Sequence, residues 1–174
     1  MKNILVASIL ALSAYAGPSF TLSPSSGSIT GHPGDTVGWG FTLTSDTTEW
    51  ISVVTSSLLI ESDPGLGTYT DFAGLQGGPV NGVLAPNAPA WTESFDAVNM
   101  LGLGSYNIGP SFGIDSGLLD LNYETFSADP NTCTNCSTGF GDLLAPFQVQ
   151  SAPEPAVFWM VGLLLAVGRL RRVS

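Results

Sequence analysis

The residues that could carry out chemistry in this chain are few, and the search for a catalytic set starts from its single histidine. His32 lies in the turn His32-Pro33-Gly34-Asp35, and the sequence contains no nucleophile elbow. A serine triad needs a histidine base next to an activated nucleophile. We therefore interpret His32 as a surface residue of a turn, and the sequence predicts that the protein is not an enzyme.

Carboxylate pairs are the second candidate for chemistry. Glycosidases place two acidic side chains on either side of a sugar-binding cleft, and the nearest pairs here are Glu93 with Asp96 and Asp120 with Glu124. Because the segment 17–152 carries thirteen of the fourteen acidic residues, such pairs arise by chance. We interpret them as solvated surface charge and predict no catalytic residue.

The two cysteines, Cys133 and Cys136, are separated by two residues. In an exported protein two cysteines most simply form a disulfide, which here would make the loop between Asp129 and Asp142 more rigid. A thioredoxin-like redox pair would need βαβ surroundings, and a zinc site would need a second pair of Cys or His ligands. The sequence therefore predicts a structural disulfide.

Oxygen ligands for calcium could come from Asp129, Asn131, Asp142 and the backbone carbonyls between them. No EF-hand spacing and no Gly-Asp repeat accompanies these residues. Calcium binding stays open, and no cofactor is predicted.

Four aromatic side chains suggest carbohydrate binding as a further function: Trp39, Trp50, Trp91 and Tyr106. Exposed rings can stack on sugars, whereas rings on the apolar side of a strand belong to the core. Trp39 falls on the apolar side of its strand, and the positions of Trp50 and Trp91 are left open. A carbohydrate-binding module is therefore one function that the sequence leaves open.

The amino terminus has the three parts of a secretory signal peptide. A start containing Lys2 precedes the apolar stretch 4–14, and Ala14-Tyr15-Ala16 forms an A-x-A cleavage site. The sequence predicts a signal helix over 1–16, with Ala14 and Ala16 recognised by signal peptidase, and export of the rest of the chain.

The carboxyl-terminal segment 153–174 carries a second signal. Its marked residues are the triplet Pro153, Glu154 and Pro155 and the basic residues Arg169, Arg171 and Arg172. The apolar run 156–168 between them would rise roughly 20 Å as a helix, which is short for a hydrocarbon core of about 30 Å. Basic residues stay on the cytoplasmic side, so the sequence predicts a short transmembrane helix with the body outside.

This order of triplet, apolar run and basic cluster resembles the PEP-CTERM sorting signal of exported bacterial proteins. The resemblance implies that an exosortase in the membrane handles the chain. It also implies a transient or permanent membrane anchor, followed by a place at the cell surface or in the extracellular space. PEP-CTERM proteins are associated with bacteria that produce exopolysaccharide, so exopolysaccharide is a candidate partner.

The distribution of charge separates the signals from the body. All four basic residues lie in the terminal signals, and the segment 17–152 contains no lysine or arginine. Phosphate groups repel a body with this charge, so nucleic acid is excluded as a partner.

The body, residues 17–152, fits one domain rich in turn-forming residues. Its clearest element is a strand at Thr36–Thr44, in which Trp39, Phe41 and Leu43 alternate with small residues. Strict period-two alternation is typical of a strand with one buried face. The stretch 33–37, Pro-Gly-Asp-Thr-Val, is similar to an early core strand of immunoglobulin-like domains.

Further strands are predicted at 20–22, 26–30, 50–59, 68–72, 80–84, 90–95, 105–108, 118–126 and 147–150. The first two of these should pair with each other. A helical turn is predicted at 97–101, and 145–152 should taper into a tether. This spacing favours an all-β fold consisting of a single antiparallel β-sandwich, immunoglobulin-like by resemblance.

The sequence thus predicts three segments: a signal peptide at 1–16, a β-sandwich at 17–152 and a sorting signal at 153–174. The predicted function is that of an exported, surface-sorted protein of the bacterial envelope or extracellular matrix, without enzymatic activity.

Overall fold

A computed structural model describes residues 17–45, 48–75 and 77–153 of the chain. Within these ranges the protein is all-β, as predicted. The predicted signal helix and transmembrane helix fall outside the described residues. Inside them, no helix has the length and apolarity needed to cross a bilayer.

The described part of the chain forms strands joined by turns. In chain order the strands are β1 (Ser19–Ser23), β2 (Ser28–Gly31), β3 (Thr36–Thr44), β4 (Trp50–Leu59), β5 (Gly67–Asp71), β6 (Val83–Leu84), β7 (Trp91–Glu93), β8 (Gly104–Ile108), β9 (Gly113–Phe126) and β10 (Ser137–Ser151).

These strands form two five-stranded sheets. The first sheet has the order β1-β3-β8-β5, and β7 pairs with β3 on the same side as β8. The second sheet has the order β2-β10-β9-β4-β6. Every pairing is antiparallel except that of β2 with β10, which is parallel and departs from the predicted purely antiparallel arrangement.

The two sheets share one hydrophobic core. Trp39, Phe41 and Leu43 of β3 have no exposed surface, which confirms the alternation predicted for this strand. Leu119 and Leu121 of β9 bury the facing side of the second sheet. Burial of apolar surface at this interface is the main force that holds the sheets together.

Trp39 lies at the centre of this core. Its ring packs edge-on against Phe147 of the second sheet, with the ring centroids 5.7 Å apart, and against Tyr106 at 6.5 Å. Its indole Nε1 donates a hydrogen bond of 2.8 Å to the backbone carbonyl of Gly27. Gly27 lies in the turn between β1 and β2, so the tryptophan ties this turn to the core.

The predicted pairing of 20–22 with 26–30 is wrong. β1 pairs with β3 in the first sheet, whereas β2 pairs with β10 in the second. The turn between them ends at Gly27, whose φ of +68° suits glycine, and it carries the chain from one sheet to the other. A chain that changes sheets at a turn cannot form a hairpin there.

The predicted tether at 145–152 is also wrong, because β10 continues to Ser151. Ala145, Phe147, Val149 and Ser151 are buried, and the residues between them are more exposed. This is the period-two pattern of a strand with one face in the core. Four consecutive residue pairs with β2 hold its last part in the second sheet.

No helical turn forms at 97–101. The backbones of Asp96 and Leu101 exchange two hydrogen bonds of 3.0 and 3.1 Å, which close a tight turn. The Asp96 carboxylate accepts bonds from the backbone N–H groups of Val98 and Asn99. This local side-chain contact offers the backbone an alternative to a helix.

The segment predicted as a strand at 80–84 divides into a 3-10 turn at Val80–Gly82 and the short strand β6.

Candidate functional site

The residues of the predicted export and sorting signals are almost all outside the described ranges. Ala14 and Ala16 of the cleavage site lie there, as do Glu154, Pro155 and the arginines of the carboxyl-terminal cluster. Pro153 is described and lies two residues after Ser151, the last residue of β10. The last backbone contact before it is the hydrogen bond from Ala152 N to Gly31 O, 3.0 Å long.

Cys133 and Cys136 lie at disulfide-bonding distance in the loop between β9 and β10, with their Cα atoms 6.1 Å apart. This separation falls within the usual range for disulfides. The geometry is consistent with the predicted disulfide. Its ring spans only four residues at the tip of a hairpin, so any stabilisation is local.

His32 contacts Asp35, a residue of its own turn. Its backbone N–H donates to Asp35 Oδ2 at 2.7 Å, and its Nδ1 lies 3.1 Å from the same oxygen. The hydrogen bond from the His32 backbone, together with the contact to its ring nitrogen, lowers the pKa of the Asp35 carboxyl group. The pair closes the turn that leads into β3.

The interpretation of Glu93 and Asp120 as solvated surface charges is wrong. Both are buried, with 8% and 7% of their surface exposed. Glu93 Oε2 accepts a 3.0 Å bond from the backbone N–H of Gly102, and Asp120 Oδ2 accepts a 2.9 Å bond from Asn122 Nδ2. Glu93 therefore helps to fix the segment that precedes β8, because its side chain accepts a hydrogen bond from the backbone of that segment.

The residues considered for calcium use their oxygen atoms in local hydrogen bonds. Asp129 Oδ1 accepts bonds from the backbone and side chain of Asn131, and Asn131 Oδ1 accepts from Asn81 Nδ2 at 2.6 Å. Asp142 is on β10 opposite Asn122, several residue pairs from the loop. Among the described residues, no group of three or more His, Cys, Asp or Glu side chains is arranged to hold a metal ion.

The aromatic residues considered for sugar stacking do not form an exposed platform. Trp39 and Tyr106 are fully buried, Trp91 is 5% exposed, and Trp50 is half-buried. Phe41 packs edge-on to Trp91, with the ring centroids 4.9 Å apart. The rings of Trp39 and Tyr106 therefore belong to the core, and the four side chains do not present two exposed rings for stacking on a sugar.

A buried polar cluster between the sheets was not foreseen from the sequence. Asp115 on β9 has no exposed surface, and it accepts hydrogen bonds from the Tyr106 hydroxyl at 3.1 Å and from the backbone N–H of Asp63 at 2.9 Å. Burial raises the pKa of Tyr106, and the nearby carboxylates raise it further. Burial and the Asp115 charge raise the pKa of Glu61. The sequence could have indicated this burial, because Asp115 lies four residues before Leu119 and therefore on the same face of the strand.

A cavity of about 340 Å³ lies between the edge strands β6 and β7, where the chain crosses from the second sheet to the first. Its walls include Pro79, Val83, Leu84 and Pro89, and Trp91 forms one side. The indole Nε1 of Trp91 is buried and has no hydrogen-bond partner among the described residues. The cavity therefore has a mainly apolar wall, and the unpartnered indole N–H beside it is buried.

Compared with known protein families and with curated proteins, the chain matches none.

Proposed function

We propose that this chain is an exported bacterial surface protein without enzymatic activity, and that its carboxyl-terminal segment is a sorting signal handled by an exosortase. The observation that carries the proposal is the order of Pro153-Glu154-Pro155, the apolar run 156–168 and the arginine cluster. Every basic residue of the chain lies in its two terminal signals. The body would leave the membrane as a purely acidic domain.

The extent of the β structure supports the division of the chain into a body and two terminal signals. β1 begins at Ser19, close to the proposed new amino terminus at Gly17, and β10 ends at Ser151, just before Pro153. Signal peptidase and exosortase would thus act on segments outside the sheets. Cleavage at either end would leave the strands and their shared core intact.

We also propose that the body is an immunoglobulin-like β-sandwich. The order β1-β3-β8-β5 corresponds to strands A-B-E-D of that fold, and β10-β9-β4 corresponds to G-F-C. The chain departs from the standard strand order at β6, which lies next to β4 but follows β5 in sequence. The inter-sheet disulfide of antibody domains also has no counterpart, since the cysteines lie at a hairpin tip.

Carbohydrate binding is the second candidate function. The observation that favours it is the apolar cavity beside β7 with the unpartnered indole N–H of Trp91. The ligand would be a neutral sugar or exopolysaccharide, because the body offers no lysine or arginine to an anionic one.

The sorting proposal is tested by changing Arg169, Arg171 and Arg172 together to alanine in the native host. Without the basic cluster the positive-inside anchor is lost, so we expect unprocessed precursor to accumulate and the surface fraction to fall several-fold. Fractionation followed by immunoblotting measures the ratio of precursor to mature protein. A Glu124→Gln variant in the body serves as the control and should sort like the wild type. Equal surface levels of all three proteins would contradict the proposal.

A further inference from the structure

The dipeptide Asn81-Gly82 is the only Asn-Gly pair in the sequence. Asparagine is a thermolabile residue, because the backbone nitrogen of the next residue can attack its side-chain carbonyl carbon. The attack is easiest when that next residue is glycine, which has no β-carbon to hinder the approach. Asn81 is exposed, so solvent has access to its side chain. The pair is therefore a candidate site of chemical modification.

The backbone of the 3-10 turn Val80–Gly82 keeps the attacking atom occupied. Asn81 and Gly82 have φ values of +58° and +65°, in a left-handed region that asparagine and glycine enter more readily than most residues. The backbone N–H of Gly82 donates a hydrogen bond of 2.9 Å to the carbonyl of Pro79. Attack on the side chain of Asn81 requires this bond to break and the backbone of Asn81 to rotate.

The side chain of Asn81 is held by the tip of the β9–β10 hairpin. Its Nδ2 donates a hydrogen bond of 2.6 Å to Asn131 Oδ1. Asn131 is fixed in turn by Asp129, whose Oδ1 accepts bonds of 2.9 and 3.1 Å from the backbone and the side-chain amide of Asn131. We call Asn81, Asn131 and Asp129 the amide clamp. While the clamp is closed, the side-chain carbon of Asn81 cannot turn toward Gly82.

We infer that Asn81 is a deamidation site that the amide clamp keeps closed in the folded protein. When the clamp and the Gly82 hydrogen bond open, the nitrogen of Gly82 forms a bond to Asn81 Cγ. The bond from Cγ to Nδ2 breaks, and the side-chain nitrogen leaves as ammonia with the proton from Gly82. Water then opens the cyclic imide to aspartate or isoaspartate, so the reaction needs water alone as a co-reactant.

Deamidation would open the clamp permanently. A carboxylate at position 81 has no hydrogen to donate to Asn131 Oδ1. If the amide of Asn131 turned over to donate to this carboxylate, its nitrogen would leave Asp129 and its oxygen would face the Asp129 carboxylate. The product also adds a negative charge to a body without lysine or arginine. The hairpin tip would therefore lose its contact with the 3-10 turn.

The test follows deamidation of the full-length chain in detergent micelles, in mildly alkaline buffer with and without urea. Because the body has no lysine or arginine, a glutamate-specific protease replaces trypsin and cleaves after Glu61 and Glu93 to release the peptide 62–93. Mass spectrometry measures the gain in mass from amide to carboxyl, and fragmentation assigns it to Asn81 or Asn87. We expect Asn81 to react at least about tenfold more slowly in the folded protein than in urea, because two hydrogen bonds must open first.

Asn131→Ala removes the acceptor from the clamp and leaves the Gly82 hydrogen bond in place. Asn131 is exposed, so the fold should tolerate the change, and deamidation of Asn81 in the folded protein should become several-fold faster. Thr134→Ala, also exposed on the hairpin tip, is the matched control and should react like the wild type. Asn87 is the internal reference, because general unfolding would speed its reaction as well.

Three results would overturn the inference. No reaction at Asn81 in urea would show that it is not a deamidation site, and equal rates with and without urea would show that the fold does not protect it. A slow rate that Asn131→Ala leaves unchanged would exclude the clamp as the cause of the protection. None of these outcomes bears on the sorting proposal, which is tested by fractionation.

Discussion

Replacing Trp39 with alanine should lower the free energy of unfolding by about 3–5 kcal/mol, the usual cost of removing a large aromatic side chain from a core. Trp39 has no exposed surface and packs against rings from both sheets, including Phe147. The change would also remove one of the two donors to the carbonyl of Gly27, which keeps the hydrogen bond from the backbone N–H of Gln148. Against a total stability of about 5–15 kcal/mol, such a loss brings the domain close to unfolding. Urea denaturation followed by tryptophan fluorescence measures the change.

Two further variants separate packing from hydrogen bonding at this position. Trp39→Phe retains most of the packing and loses the bond to Gly27, so it should cost clearly less than Trp39→Ala. Trp50→Ala removes a half-buried indole at the start of β4 and should also cost much less. A Trp39→Ala protein whose stability falls by less than about 1 kcal/mol would show that the two sheets do not depend on this residue.

Replacing Asp115 with alanine should destabilise the protein by about 2–4 kcal/mol, because one buried donor loses its acceptor at a cost of about 1–3 kcal/mol and a second, part-buried donor also loses its partner. These donors are the Tyr106 hydroxyl and the backbone N–H of Asp63. Removing the repulsion from neighbouring carboxylates offsets part of the loss. The double variant Asp115→Ala/Tyr106→Phe should therefore be less destabilised than the sum of the two single variants.

Asp115→Asn keeps the size of the side chain and tests the electrostatic part separately. The pKa of Glu61 in the folded protein is raised by burial and by the Asp115 charge. A raised folded-state pKa stabilises the protein fully below the ordinary value of 4.5, and this contribution is lost as the pH rises through the folded-state pKa. Asp115→Asn should therefore reduce the change in the free energy of unfolding with pH between the ordinary and the folded-state pKa of Glu61. An unchanged pH profile would contradict a coupling between the two carboxyl groups.

The strands were predictable where side-chain alternation alone determines them. β3 lies at its predicted boundaries because Trp39, Phe41 and Leu43 occupy every second position between small residues. The buried face of β9 shows the same kind of alternation, because Leu119 and Leu121 are two positions apart and both are buried. Local alternation defines which face a strand buries, and each of these strands supplies it in its own sequence.

What alternation cannot supply is the partner of a strand. β1 and β2 are adjacent in the chain yet pair with β3 and β10 in different sheets. This choice depends on long-range packing against the core. The start of β10 escaped prediction because Phe140 and Leu144 face solvent there while Gly139 and Gly141 alternate with them.

Buried polar residues were the other gap. Glu93 and Asp115 occupy core-facing positions in the alternation of their strands, but carboxylates are usually exposed to solvent. Their acceptors are satisfied by Gly102, Asp63 and Tyr106, which lie outside their own strands. Only the assembled sheets bring these donors within reach. The Trp91 cavity was hidden for the same reason, because its walls come from separate stretches of the chain.

We propose that two terminal signals deliver an acidic β domain to the cell surface and are removed from it. Mass spectrometry of the mature protein taken from its native cell surface tests this claim most directly. We expect an amino terminus at Gly17 and a carboxyl terminus near Pro153, with no lysine or arginine left in the chain. A mature protein that still carries Arg171 and Arg172 at its carboxyl terminus would contradict it.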